Sequence, residues 1–293
     1  MTTRDLVQKL NTQFADTVSH GENNGSGWLS LLQKDGFGRF LEKGFPTNRD
    51  EEWRFTDLKE FVSTEFSLSS IEDDKEEKAR ELWEGLELNI ADAYNLVFVN
   101  GRVSKSLSSD KVLPDDVVIS SLSEALNKES SRINSILRSS RCEKTPFFNL
   151  NEAFLSEGAF VYVPQGVRLE YPIHLIFLTT TQNPIVFHPR NIILAEPSSE
   201  SRILETYLGD ADTVYWMNTV TEVVAEEEAI VDHYKLQLES KSAFHVANLG
   251  VVQSRNSSVS NHSLSLGAKL ARHDIRSELG GEGAEVTLNG LYV

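Results

Sequence analysis

The sequence predicts an α+β chain in which a mainly helical N-terminal domain, residues 1–145, precedes a parallel β-solenoid, residues 146–293. Three observations carry this. Apolar residues recur at helical spacing through the first third of the chain. From about residue 147 Val, Ile, Leu, Thr and Ser dominate and the helical period fades. After Arg190 two interleaved series of strand-like segments recur every 25–29 residues.

Leu6, Leu10, Phe14 and Val18 stand four apart and share one helical face, with Thr2 or Thr3 as N-cap. His20 to Gly27 is a loop by composition. A second helix runs from Trp28 to about Lys34, with Gly36 and Gly38 interrupting it and Phe37, Phe40 and Leu41 continuing its apolar side; Gly44-Phe45-Pro46 ends the unit. Glu72 to Lys78 opens a charged helix with acids first, as the helix dipole prefers, and reads as a solvated face. Leu96–Val99, Asn100-Gly101 and Arg102-Val103 predict a hairpin, because Asn-Gly tolerates the two positive φ angles of a type I′ turn. Residues 119–138 return to a helical pattern through Leu122, Leu126, Ile133 and Leu137.

The first strand series starts at Glu200, Glu228, Ser257 and Gly283, with offsets of 28, 29 and 26 residues; the second starts at Arg190, Thr219, Phe244 and Ala271, with offsets of 29, 25 and 27. Similarity skips one strand each time. A solenoid laying two strands per turn onto two parallel sheets, each turn about 4.8 Å above the last, explains that better than an antiparallel sandwich. Along Ser258–Leu266 one face carries His262, Leu264 and Leu266 and the other Val259, Asn261 and Ser263; the pattern leaves open which faces inward. Gly280-Gly281-Glu282-Gly283 reads as a tight corner between turns. Thr287–Val293 is itself strand-like, so its open edge calls for a partner or for further chain.

A formal charge of −16 disfavours contact with phosphate backbones and anionic lipid, so neither nucleic acid nor membrane is expected as a partner. No signal peptide or eighteen-residue apolar run is visible, and the chain reads as cytoplasmic. A single cysteine, Cys142, excludes an internal disulfide framework and an all-cysteine metal site. It reads as an ordinary thiol; the nucleophile reading rests on Arg141 and Lys144 lowering its pKa. None of the seven histidines has a metal-ligand spacing, though His233 with His262, and His245 with His273, stand about one turn apart and would stack. No catalytic constellation emerges, and the chain is expected to be no enzyme. In Glu51-Glu52-Trp53-Arg54-Phe55, Trp53 is either packed or, with Arg54, an exposed interface anchor; Trp53 and Arg54 are the candidate interaction residues.

Five stretches together resemble one family. They are Pro46–Leu58 around Glu51 and Trp53-Arg54, Leu96–Arg102, Phe148–Phe154, Val163–Leu175 with Gly166, Glu170, Pro172 and His174, and Arg272–Tyr292. In this order they resemble the SufB/SufD family of iron–sulfur cluster assembly, and the first stretch is similar to its SufD branch. The resemblance implies a right-handed parallel β-helix behind a helical domain. It further implies a scaffold role, pairing with a SufB-like subunit and a SufC-like ABC ATPase, with the Fe–S cluster assembled by the complex. No cofactor-binding or cluster-ligand residue carries over. Family members continue past the position of Val293 into the region that binds SufC, so the β-helix is expected to be incomplete here. The alternatives are a carbohydrate-active β-helix enzyme and a structural or adhesive solenoid.

Overall fold

The computed structural model describes residues 2–21, 27–68, 76–86, 90, 92–114, 116–140, 142, 144–181 and 183–293. Most of the loop expected at His20–Gly27, the acidic start Glu72–Lys75, and Arg141 lie outside the described residues. Helix α1 (Thr3–Gly21) is capped as its sequence implies: Thr2 Oγ1 accepts the Asp5 N–H at 3.3 Å, and the Thr2 N–H donates to Asp5 at 2.8 Å. Leu6 and Leu10 are buried, and Phe14 stacks on Phe37. Helix α2 (Gly27–Lys43) runs unbroken through Gly36 and Gly38, against expectation. The reason is contact. A Cβ at Gly36 would come within 3.0 Å of Asn149 O and 3.1 Å of Ala153 N on a neighbouring helix, so the missing side chain admits a close helix crossing.

A 3₁₀ turn (Glu51–Trp53), α3 (Lys59–Ser63), β1 (Ser67–Leu68) and α4 (Glu76–Glu84) follow. Strands β2 (Tyr94–Val99) and β3 (Arg102–Ser104) form the expected hairpin, with φ of 48° at Asn100 and 80° at Gly101. The stretch read as helical from 119 opens with β4 (Val118–Ser121) and then breaks at Glu129 into α5 (Leu122–Lys128) and α6 (Ser130–Arg138). Helix α7 (Pro146–Ala153) is the neighbour of Gly36. The sequence reading missed it, although Thr145 caps it by accepting the Phe148 N–H at 3.1 Å and Pro146 suits its first turn.

Eleven further strands build the solenoid: β5 (Ala159–Val163), β6 (Ile173–Thr179), β7 (Ile185–Phe187), β8 (Arg190–Ala195), β9 (Glu200–Gly209), β10 (Tyr215–Ala225), β11 (Ile230–Leu238), β12 (Phe244–Gln253), β13 (Ser258–Ser265), β14 (Leu270–Leu279) and β15 (Glu285–Tyr292). The first sheet runs β4-β5-β8-β10-β12-β14, with β7 and β1 beside the start of β10; the second runs β3-β2-β6-β9-β11-β13-β15. Every pairing is parallel except β2 with β3 and β4 with β5. β2 pairs with β6 and β4 with β5, so both sheets take in strands that precede residue 145.

The register differs in detail from the sequence reading. Glu200 pairs with Ile230, Ile230 with Ser258 and Ser258 with Glu285, one or two residues away from the offsets read above. The corners fix this register. Gly166, Ser198, Glu228, Asn256 and Gly283 all have φ between 55° and 73° and occupy the same corner of successive turns. The first four donate their N–H to the next corner: Gly166 to Pro197 O, Ser198 to Glu227 O, Glu228 to Arg255 O and Asn256 to Glu282 O, at 2.8–3.0 Å. Gly280–Gly283 is therefore a corner, as expected.

Helices pack on the outside of both sheets. Trp216 and Phe244 on the first sheet meet Phe45, Phe61, Phe66 and Phe147. Ala79, Leu82 and Trp83 of α4 cover β2, β6 and β9 of the second. Substituting Gly36→Leu should force α2 from α7 and destabilise the fold by about 1–3 kcal/mol; chemical denaturation measures this, and an unchanged midpoint would contradict the packing account.

Candidate functional site

Inward-facing residues repeat at fixed heights along the second sheet. One column reads Ile173, Ile203, His233, Asn261; the next Leu175, Glu205, Lys235, Ser263; the third Phe177, Tyr207, Gln237, Ser265. The interior thus changes from apolar to polar along its axis. Phe98, Phe177 and Tyr207 stack ring on ring at 4.8 Å as its aromatic start. In β13 the inward face carries Val259, Asn261 and Ser263, while His262 and Leu264 point out.

Two lines of close polar contacts cross this interior. In the first, Asn261 Nδ2 donates to His233 Nδ1 at 2.7 Å, which leaves the Nε2–H of His233 toward Glu205 Oε1, 3.2 Å away. Glu205 also accepts from Thr221 Oγ1 at 2.6 Å, Tyr207 Oη at 2.7 Å and Asn191 Nδ2 at 3.3 Å. Burial alone would raise the Glu205 pKa. His233, Thr221 and Tyr207 outweigh it and hold the carboxyl at about 2. In the second line Lys235 Nζ donates to His245 Nε2 at 2.8 Å, and His245 Nδ1 lies 2.6 Å from Glu239 Oε2. Gln237 Nε2 donates to the same carboxylate oxygen at 3.0 Å. Burial lowers the Lys235 pKa to about 8, against the pull of Glu239 and Glu205. Ammonium, imidazole and carboxylate therefore stand side by side within one turn, Lys235 reaching across the lumen to His245 and His245 lying against Glu239, an arrangement that can hold a proton in the interior.

The histidine pairs are corrected by the register. His233 pairs with Asn261, and His262 with the outward-facing Tyr234, on whose ring it stacks at 5.0 Å; His233 and His262 thus lie on opposite faces. His245 pairs with Ala271 and His273 with Ala247, so those two share the inner face two residues apart. Glu205, Lys235 and Glu239 were missed. Their signal is the alternation Ile203-Glu205-Tyr207, which becomes readable once the inner face is known.

Trp53 is buried. Its ring stacks on Phe147 at 5.0 Å, and the Arg272 guanidinium of β14 covers it at 4.1 Å. Arg272 also donates to Glu52 O at 2.7 Å. Trp53 is thus a packing residue rather than a surface anchor, and the exposed pair is Arg54 with Phe55. Cys142 is buried with its sulfur on the backbone of Gly250 in β12, where an added Cβ would stand 2.4 Å from it. Burial and the nearby Glu222 carboxylate push its thiol up to about 12, despite Arg190 and Lys144, which removes the nucleophile reading. Among the described residues no group of three or more His, Cys, Asp or Glu is placed to hold a metal ion, and no helix is long and apolar enough to cross a membrane.

A helix-covered parallel β-solenoid with a polar interior is the class of protein these features define. Residues 3–175 match the family model of the SufBD protein N-terminal region, and residues 177–293 match the SufBD core domain of SUF system FeS cluster assembly. The chain belongs to the SufB/SufD family of iron–sulfur cluster assembly proteins. It is 31% identical to an iron–sulfur cluster assembly SufBD family protein of Synechocystis, over 79% of this chain and 52% of that one. It is 28% identical to the chloroplastic protein ABCI7 of Arabidopsis thaliana, over 92% and 57%, and 22% identical to SufD of Escherichia coli, over 90% and 62%. The chain thus spans between half and two thirds of the length of these relatives.

Replacing Glu205 with Gln should destabilise the chain by about 3 kcal/mol at neutral pH, since His233 loses its buried partner. The folded pKa of Glu205 lies below its unfolded value, so its contribution is full above about pH 4.5 and fades as the pH falls toward 2. Urea titrations of both proteins across that range should show the gap closing; a constant gap would disprove the ionic role. Cys142 should resist Ellman's reagent at pH 8 in the native state and react at once in denaturant; rapid native labelling would contradict its burial.

Proposed function

We propose that this chain is a non-enzymatic scaffold subunit of a SUF-type assembly complex in the cytoplasm, pairing with a SufB-like subunit and a SufC-like ABC ATPase. The observation that carries the reading is the pair of family matches over residues 3–175 and 177–293. Likeness to SufB of Bacillus subtilis, 26% over 47% of this chain, as well as to SufD supports a pair built from two related solenoids. The Fe–S cluster is cargo of the complex in this reading, and the chain contributes no ligand to it.

The surface offers a place for such pairing. Outside the reach of α4, the outer face of β11, with Leu266 just past β13, presents Ile230, Tyr234 and Leu266 to solvent, an apolar patch of the sort that marks protein contacts. Arg54 and Phe55 form a second exposed candidate, on the opposite sheet's helical cover. The ionisable interior groups Glu205, Lys235, Glu239 and His245 are enclosed.

Affinity purification of the tagged native gene product should recover an ABC-type ATPase and a SufB-like protein together, and Tyr234→Asp should weaken recovery of the SufB-like protein. Recovery of a monomer with neither would overturn the scaffold reading.

A further inference from the structure

The outward columns of the second sheet stay apolar past the reach of α4. One runs Ile176, Thr206, Leu236, Leu264; its neighbour runs His174, Leu204, Tyr234, His262. At their start these columns lie under α4. Ala79, Leu82 and Trp83, with Leu86 just past the helix end, pack with Ile176, Leu178 and Leu208 in one cluster, and Trp83 meets the His174 ring at 66° from 5.3 Å. Leu238 of β11 packs against the same cluster, so the apolar contact runs on into β11. Over β11 and β13 a groove of about 420 Å³ opens, with Leu204, Tyr234, Leu236, His262, Leu264 and Leu291 among its walls. Tyr234 stacks on His262 at 5.0 Å, and Tyr234 and Leu266 are each 41% exposed.

A parallel sheet is ordinarily covered on both faces, and α4 covers this one only in part. Three features limit what fits the rest. β9, β11 and β13 each have ladder partners on both sides, so the sheet has no backbone groups to offer. An extended segment laid on it would press unpaired N–H and C=O groups against leucines, whereas a helix arrives with its own backbone bonds made. Next, α4 stands beside the groove as a step one helix thick. That step keeps a second sheet from lying flat and leaves a place for an element of α4's own thickness. Last, strands about 4.8 Å apart nearly match the helical pitch of about 5.4 Å, so side chains one turn apart can meet successive strands. We propose that the groove over β11 and β13 receives an amphipathic helix of the partner subunit, with large apolar side chains at i, i+3 or i+4, and i+7. Ala79, Leu82, Trp83 and Leu86 present that same stripe to the covered part of the sheet. The proposal rests on the assembly reading for the partner's existence and adds the element by which it binds.

Two measurements test this. In anisotropy titrations a fluorescein-labelled helical peptide of about four turns, with Leu at that spacing and Gln and Lys elsewhere, should bind the chain saturably. The same composition in scrambled order should bind about 10-fold more weakly or worse. Tyr234→Asp and Leu266→Asp, at exposed positions, should each weaken the first peptide about 10-fold, and the exposed Val112→Asp should leave it unchanged. In the tagged native gene product, benzoylphenylalanine in place of Tyr234 or Leu266 should crosslink to partner residues three, four or seven apart. Equal binding of the two peptides, or unchanged binding in both Asp variants, overturns the proposal. So do crosslinks to partner residues alternating by two, to this chain itself or to a second copy. Recovery of no partner at all overturns the assembly reading instead, and the peptide titration then still decides whether the groove takes a helix.

Discussion

A parallel ladder gives every inward side chain the same neighbours, one turn above and one turn below, at a fixed distance. A charge placed on one turn must be answered from an adjacent turn or from across the lumen, because enclosing an unpaired ion costs several kcal/mol. Glu205 sits directly beneath Lys235 in the ladder, lies 3.2 Å from His233 of the next column, and takes the Thr221 hydroxyl from the opposite sheet. Lys235 in turn looks across to His245 rather than down to Glu205. The polar interior is therefore one coupled unit, in which Glu205, His233, Lys235, His245 and Glu239 each make sense only with the others present.

The outer surface of the first sheet is settled by a different buried pair. Arg190 is fully enclosed, its guanidinium on Glu222 at 2.8 Å, on Asn151 of α7 at 3.1 Å and over the Phe148 ring at 4.6 Å. Asn151 also donates to Pro189 O and Asn218 O, which serves the backbone where His188-Pro189 separates β7 from β8. Helix α7 thus joins the sheet through polar contacts that an apolar stripe alone would not orient. Trp53, gripped between Phe147 and Arg272, extends the same attachment as far as β14. Helical layer and solenoid share their hydrogen bonds and their sheets.

Fold class and repeat were legible because two-per-turn strands leave a period in the sequence, and the hairpin because Asn100-Gly101 is chemically explicit. The register was not. Of the five stacked corners, Gly166, Asn256 and Gly283 are residues that favour positive φ, whereas Ser198 and Glu228 give no such sign. An error of one residue turns every side chain to the other face, and that is how His233 and His262 came to be paired. Helix α7 was hidden by Phe147, Phe148 and Leu150, which suit a strand equally well. Thr17 of α1, Leu68 of β1, Phe98 of β2, Phe187 of β7 and Met217 of β10 line one cavity, and no local pattern encodes such a meeting.

The placement of Cys142 has a practical side. The chain's one thiol is sealed against Gly250, so a cysteine introduced at an exposed position such as Val112, away from the candidate contact surfaces, would be the site that reacts under native conditions. Spectroscopic reporters and crosslinkers can then be attached at one chosen point without first removing the natural cysteine. Distances to any bound partner become measurable on an otherwise unaltered molecule.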